Sequence, residues 1–370
     1  PGAPPPGAAQ SPRRGAMTLA VGPLRGALVP ARHAPGSSLT VARTPGALPA
    51  ITPALASASS GISSRGAAAG IATFVACRVA HLRGRRGRVA RRADGAGRPQ
   101  QVVADADRQD LERAAESGDL AAQYKLGLIL SQGEGVEEDN ESALKWFTRA
   151  ADRGLREAQY HVGVLLRTGD GVKQDDQSAA RWFERASEQG LKEAQTVFGM
   201  MLSAGVGVAQ DSERAAKLLL TAAEQGLADA QFGLGSMLYR GDGVEPDPKA
   251  AKEWLLRAAE QGVPRAQFVI GSMYHQGDGV EVNKPEAARW LHKASEQGLR
   301  EAQYAFASML YVGEGIEQDR QKAAHWFRSA AEQGLREAQH NVGAMMISGD
   351  GVDKDEARGR EWLEKGAPAS

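Results

Sequence analysis

The chain has 370 residues, 42% of them hydrophobic, with 45 basic and 45 acidic side chains, so a sizeable core is within reach at zero formal net charge. The balance hides a split: residues 1–100 hold fourteen arginines, no lysine and one acid, Asp94, and the acidic excess falls in 101–370. A single cysteine, Cys77, excludes disulfides within the chain and any cysteine metal cluster.

Residues 1–100 are mostly Ala, Gly, Pro, Arg and Ser, with little periodicity. Such a segment buries too little apolar surface to offset its ordering entropy, and a disordered basic leader is expected. Two readings stay open. One is an organelle transit peptide, arginine-rich and nearly free of acids, with the plastid ahead of the mitochondrion and Met17 as a candidate start. The other is an unconstrained segment from a GC-rich gene in front of a cytoplasmic protein. The most apolar run, Ala67 to Cys77, is eleven residues long, well short of the ~20 that cross a bilayer, so no membrane span is expected. The arginines at 83, 85, 86, 88, 91 and 92 follow it. They are assigned to targeting or to no role, ahead of nucleic-acid binding.

From 101 onward the chain repeats. Leu111-Glu112-Arg113-Ala114-Ala115 reads as one helix without a partner, so 101–118 is expected to be a capping half-repeat. The next segment, 119–154, reads as a helix pair. Ala122, Leu126, Ile129 and Leu130 recur at helical spacing. Gly133-Glu134-Gly135-Val136 breaks that helix. Asp139 offers a side-chain oxygen to the free amides of a second helix, which carries Ala143, Trp146, Phe147, Ala150 and Ala151. Gly154 closes it in the left-handed conformation that glycine adopts without cost.

Each mark returns every 36 residues without an insertion, giving seven units: 119–154, 155–190, 191–226, 227–262, 263–298, 299–334 and 335–370. The cap row is Asp139, Asp175, Asp211, Asp247, Asn283, Asp319 and Asp355. The aromatic row is Trp146, Trp182, Leu218, Trp254, Trp290, Trp326 and Trp362, read as the large buried side chain of each unit. Position 122 and its equivalents are always alanine, and position 123 is always glutamine, from Gln123 to Gln339. A period in this range predicts an all-α fold: a right-handed α/α superhelical solenoid of seven helix pairs plus the half-repeat, fifteen helices without a strand.

The pattern Ala-x-x-x-Leu-Gly, Gly-x-Gly-Val, Asp, Ala-x-x-Trp and Ala-Ala-x-x-Gly resembles the Sel-1-like repeat, a relative of the tetratricopeptide repeats, over all of 119–370. The resemblance implies a solenoid that holds protein partners, as an adaptor or scaffold. It also implies an alternative, an accessory subunit or regulator of an enzyme complex of the protein quality-control type. A hydrolase, as reported for some secreted relatives, is a further alternative, set against the absence of a nucleophile site here; the cysteines of the disulfide-stapled relatives are also missing.

The residues themselves point away from catalysis. The glycine loops, such as Gly241-Asp242-Gly243-Val244, lack the preceding strand and the terminal lysine of a phosphate loop. Asp170, Asp242, Asp278 and Asp350 lack EF-hand spacing. His161, His275, His292, His325 and His340 share no metal-ligand spacing with a cysteine or acid, so neither metal nor cofactor is expected. No nucleophile elbow is present, and no enzyme is expected. The glutamine row reads as an inter-repeat hydrogen bond, and Met201, Met237, Met273, Met309 and Met345 read as core filling.

Two rows on the first helices lie opposite the alanine face. They contain Tyr124, Tyr160, Phe232, Phe268 and Tyr304 at one level and Arg167, Tyr239, His275 and Tyr311 at the next. First helices line the concave face of such solenoids, so these nine residues are the expected partner-binding groove, with Ser236, Ser272 and Ser308 leaving room between them. The open alternative is that neighbouring first helices bury these rings against one another. The expected partner is a protein segment; no nucleic acid is expected.

Overall fold

A computed structural model describes residues 105–367. The expectations for the basic leader, for residues 101–104 and for the last three residues concern positions outside that range. Among the described residues there are fifteen α-helices and no strand. The first, α1, spans Asp105–Glu116. The pairs follow as α2 Leu120–Gln132 with α3 Asn140–Asp152, α4 Arg156–Thr168 with α5 Asp176–Glu188, and α6 Lys192–Ala204 with α7 Ser212–Glu224. Next come α8 Ala228–Arg240 with α9 Pro248–Glu260, and α10 Pro264–Gln276 with α11 Lys284–Glu296. The last are α12 Arg300–Val312 with α13 Arg320–Glu332, and α14 Arg336–Ser348 with α15 Glu356–Gly366. Each helix packs on its chain neighbours, and the closest packing is within the pairs. The chain is an α/α solenoid.

The punctuation works as local chemistry dictates. All seven residues of the cap row accept a backbone N–H in the first turn of the second helix, as Asp139 does from Ser142 at 2.9 Å. The first six second helices end in Schellman motifs. Gly154 sits at φ +95°, its N–H reaches Ala151 O, and the N–H of Leu155 reaches Ala150 O. Leu155 then serves as the N-terminal flank of the next helix, so helix follows helix across three residues, 153–155.

The core is a series of layers built from alanine. Ala143, Ala179, Ala215, Ala251, Ala287 and Ala323 are fully buried, as are Ala150, Ala186, Ala222, Ala258, Ala294 and Ala330. Small side chains let the helices close up, and one large side chain per pair fills the remaining space. That side chain is not the tryptophan. It is the residue after it: Phe147, Phe183, Leu219, Leu255, Leu291 and Phe327, each at most 1% exposed. Of the tryptophans only Trp290 is buried; the others are partly buried at the edge of the core. A cation one turn on covers the indole: Arg149 over Trp146 at 4.4 Å, Arg185 over Trp182 at 4.8 Å, Arg257 over Trp254 at 4.6 Å, Lys293 over Trp290 at 4.1 Å and Lys365 over Trp362 at 4.7 Å. The expected tryptophan core is thus displaced by one residue, about 100° around the helix.

The glutamine row is a ladder. Gln159 Nε2 donates to Ala151 O at 3.1 Å, in the last turn of the preceding repeat. Gln231 and Gln267 do the same to Ala223 and Ala259. The Oε1 of each accepts in turn from the glutamine that caps the second helix of its own repeat, as from Gln261 to Gln231 at 2.7 Å and from Gln297 to Gln267 at 2.8 Å. These amides are buried, so losing the pair leaves polar groups unsatisfied. Gln267→Leu is expected to cost about 1–3 kcal/mol. Gln267→Glu is expected to cost more at neutral pH, because a buried carboxylate would face the Ala259 carbonyl. Burial raises such a carboxyl's folded-state pKa, so the excess cost disappears as pH falls and the group protonates. Denaturation of both variants at pH 7 and near pH 4 checks this; a gap that stays constant would refute the ladder's role.

Candidate functional site

The nine predicted groove residues sit on the first helices, but in different surroundings. Tyr160 and Tyr304 are buried, 8% and 6% exposed. Each ring packs on the deep phenylalanine of its own repeat: Tyr160 on Phe183 at 5.6 Å, Tyr304 on Phe327 at 5.4 Å. Tyr124 makes the same contact with Phe147 at 5.8 Å and stays half-buried. These tyrosines therefore belong largely to the packing, and burial raises the Tyr304 phenol above its usual range.

Arg167 is also buried, and its Nη1 reaches Asp176 Oδ1 at 3.1 Å. The loop position that meets this row in the following repeat is Val206, which offers no carboxylate. The guanidinium turns instead to the start of its own second helix.

The other members of that row reach the glycine loop of the next repeat. The Tyr239 hydroxyl donates to Asp278, His275 Nε2 lies 2.9 Å from Glu314 Oε2, and the Tyr311 hydroxyl donates to Asp350 Oδ2 at 2.6 Å. Basic residues complete two of these carboxylates: Lys284 binds Glu314, and Arg320 Nη1 lies 2.8 Å from Asp350 Oδ1. Burial first, and the Asp278 carboxylate second, push the Tyr239 phenol up to about 12. Burial and Asp350 act alike on Tyr311. The Lys284 bond, then His275, hold Glu314 below the usual carboxylate range. Tyr239, His275 and Tyr311 are half-buried, so the tips of this row tie repeats together while part of each side chain faces outward.

Phe232 and Phe268 differ from the tyrosines at their level. The deep residues of their repeats are Leu255 and Leu291, and neither phenylalanine has a ring partner among the described residues. Both are partly buried, Phe232 against the cluster that holds Leu255 and Phe268 against the one that holds Leu291. Arg265, from the first turn of α10, lies over Phe232 with Cζ 5.5 Å from the ring centre. Sequence reasoning missed this arginine. The sign was available, since the same position elsewhere is Ala121, Glu157, Glu193, Asp229, Glu301 and Glu337.

Among the described residues, no group of three or more His, Cys, Asp or Glu gathers as a metal site requires, and no helix is long and apolar enough to cross a membrane.

Comparison with known proteins agrees with the geometry. The family model described as "Sel1 repeat" matches residues 120–155, 156–191, 192–227, 228–263, 264–299, 300–335 and 336–367. The chain is similar to the crystal structure of c5321, a protective antigen of uropathogenic Escherichia coli strains displaying an SLR fold, at 36% identity and a TM-score of 0.64. That match covers 70% of this chain and 55% of the other, so this chain spans little more than half of that relative's length. It is also similar to a Sel1 repeat protein from Oxalobacter formigenes, at 32% identity and a TM-score of 0.59 over 84% of both chains. No curated protein matches the chain. Sel1 repeat proteins generally mediate protein–protein interactions and are generally non-catalytic scaffolds. Seven contiguous matched repeats on an α/α solenoid place this chain in the Sel1 repeat family.

Proposed function

We propose that the chain is a non-enzymatic adaptor that receives a segment of a protein partner on its first-helix face, at repeats four and five. One observation carries the reading. Tyr160 and Tyr304 are closed over deep phenylalanines, whereas Phe232 and Phe268 lie over smaller leucines and keep apolar area open. Tyr239, His275 and Tyr311 lie on the same first-helix face, their polar tips already occupied and each side chain partly exposed. Rigid rings offer contact area at low entropic cost.

The test starts with partners captured by the full chain. Hot-spot truncations commonly cost 2 kcal/mol or more, roughly a thirtyfold loss of affinity. The double variant Phe232→Ala and Phe268→Ala is expected to lose at least that much while its melting curve stays close to the native one. Unaltered affinity of every captured partner would place the binding surface elsewhere, on the second helices or the loops.

A further inference from the structure

The same two repeats hold an arrangement that no other pair shows. Phe232, Ser236 and Arg240 are four residues apart on α8 and so share one face of that helix. Arg265 covers the first of them. The donors of this group are incompletely used. Ser236 is 8% exposed and its hydroxyl has no partner, whereas the equivalent Ser272 and Ser308 donate to Phe268 O and Tyr304 O. Arg240 commits only Nε, to Asp242 Oδ2 at 2.6 Å, and its Nη1 is buried without a partner. Arg265 makes no hydrogen bond among the described residues; Glu301 acts on its charge from nearby, and so does the Arg240 cation. Burial and that like charge make Arg265 less willing to hold its proton than an isolated arginine. Two guanidiniums with spare donors, near an unpaired hydroxyl and a partly buried ring, suit an oxyanion.

We propose that Arg265, Arg240 and Ser236 form a carboxylate seat, taking an aspartate or glutamate side chain of a partner segment that crosses Phe232. The inference rests on the groove reading above and adds a register to it. A single negative charge fits best, because Asp242 and Glu301 already stand beside the two arginines and would repel a doubly charged phosphate. The equivalent position is acidic in five other repeats, so an acidic guest residue is accepted here and opposed elsewhere along the face. The guest meets the outward edges of the two guanidiniums first. Ser236 lies one helical turn from both Phe232 and Arg240 on the same face of α8, and its buried hydroxyl is the donor a guest reaches last.

The experiment is selection of binders from a random displayed peptide library on the full chain, on Arg265→Glu, and on the Phe232→Ala, Phe268→Ala double variant. Glutamate stands at the Arg265 position in four other repeats, so Arg265→Glu is compatible with folding. Native selection is expected to return peptides sharing an aspartate or glutamate at one fixed place, and Arg265→Glu to replace it by lysine or arginine. In a selected peptide, changing that acid to its amide is expected to weaken binding at least tenfold on the native chain. On Arg265→Glu the same change should not weaken it at all. Peptides that need the phenylalanines but carry no fixed acid would overturn the seat and leave the groove standing. Failure to select any peptide that needs either phenylalanine would overturn both. Tighter binding of the phosphoserine version of a selected peptide than of its glutamate original would overturn the assignment to a carboxylate.

Discussion

Gly243→Ala is expected to destabilise the array by about 3 kcal/mol or more, whereas Gly226→Ala should cost about 1–2 kcal/mol. Both glycines have positive φ, +71° and +82°. A side chain therefore pays the left-handed penalty of about 1–2 kcal/mol at either site. What differs is the space. A Cβ on Gly226 would meet nothing within 4 Å. A Cβ on Gly243 would lie 2.4 Å from the Ser212 carbonyl carbon and 2.6 Å from its oxygen. Those are backbone atoms at the start of α7, in the preceding repeat, and they cannot turn aside. The same collision recurs along the array: Gly207 against Asp176, Gly315 against Lys284, Gly351 against Arg320. The second loop glycine is thus the contact at which one repeat is seated on the last. Alanine there must push two repeats apart and adds the roughly 1–3 kcal/mol typical of overpacking. Because a solenoid responds locally, the check is hydrogen exchange as well as denaturation. Faster exchange is expected around 212–243 in Gly243→Ala and little change in Gly226→Ala. Equal costs at the two sites would show that φ alone explains the loop glycines.

This contrast also marks which features a reader of the sequence can recover. Caps, turns and helix ends follow from the residue at the spot. An Asp before an amphipathic run and a Gly after it have few other uses, and Asp139 to Asp355 and Gly154 to Gly334 do what their types suggest. Seats between repeats are harder, because the partner lies a period away plus an offset. Tyr239 meets Asp278, 39 residues on, and Gln261 meets Gln231, 30 residues back. The period was legible; the offset depends on how the helices lean. Depth within a helix pair was harder still. Tryptophan is the larger side chain, yet the adjacent residue points inward. The legible sign was the cation three residues after most tryptophans, which suits a face in contact with water. For the first-helix aromatics the sign was pairing: tyrosine at 124, 160 and 304 goes with phenylalanine 23 residues later at 147, 183 and 327. Phe232 and Phe268 go with leucine, and the difference decides which rings are left open.

Phe183→Ala is expected to cost about 3–5 kcal/mol, against about 1–2 kcal/mol for Trp182→Ala, although tryptophan is the larger side chain. Phe183 is fully buried. Its ring lies so close to Gly163 that a Cβ there would fall 2.9 Å from it, and Tyr160 covers it at 5.6 Å. Removing the ring opens a cavity between rigid helices, with Tyr160 losing its support; close-packed surroundings relax only in part, which is why such truncations reach the upper range. Trp182 is half-buried under Arg185, and an exposed cation–π contact is worth about 0.5–1 kcal/mol, to which a modest loss of apolar burial is added. Both substitutions leave alanine, a good helix former, so propensity does not separate them. Chemical denaturation of the two variants should rank them in this order. Hydrogen exchange in α4 and α5 should rise much more for Phe183→Ala, since the lost contact joins those two helices. The reverse order would mean that the tryptophan row, and not the residue after it, holds each helix pair together. The alanine and glutamine rows would then be spacers around a core of indoles at the surface of the array.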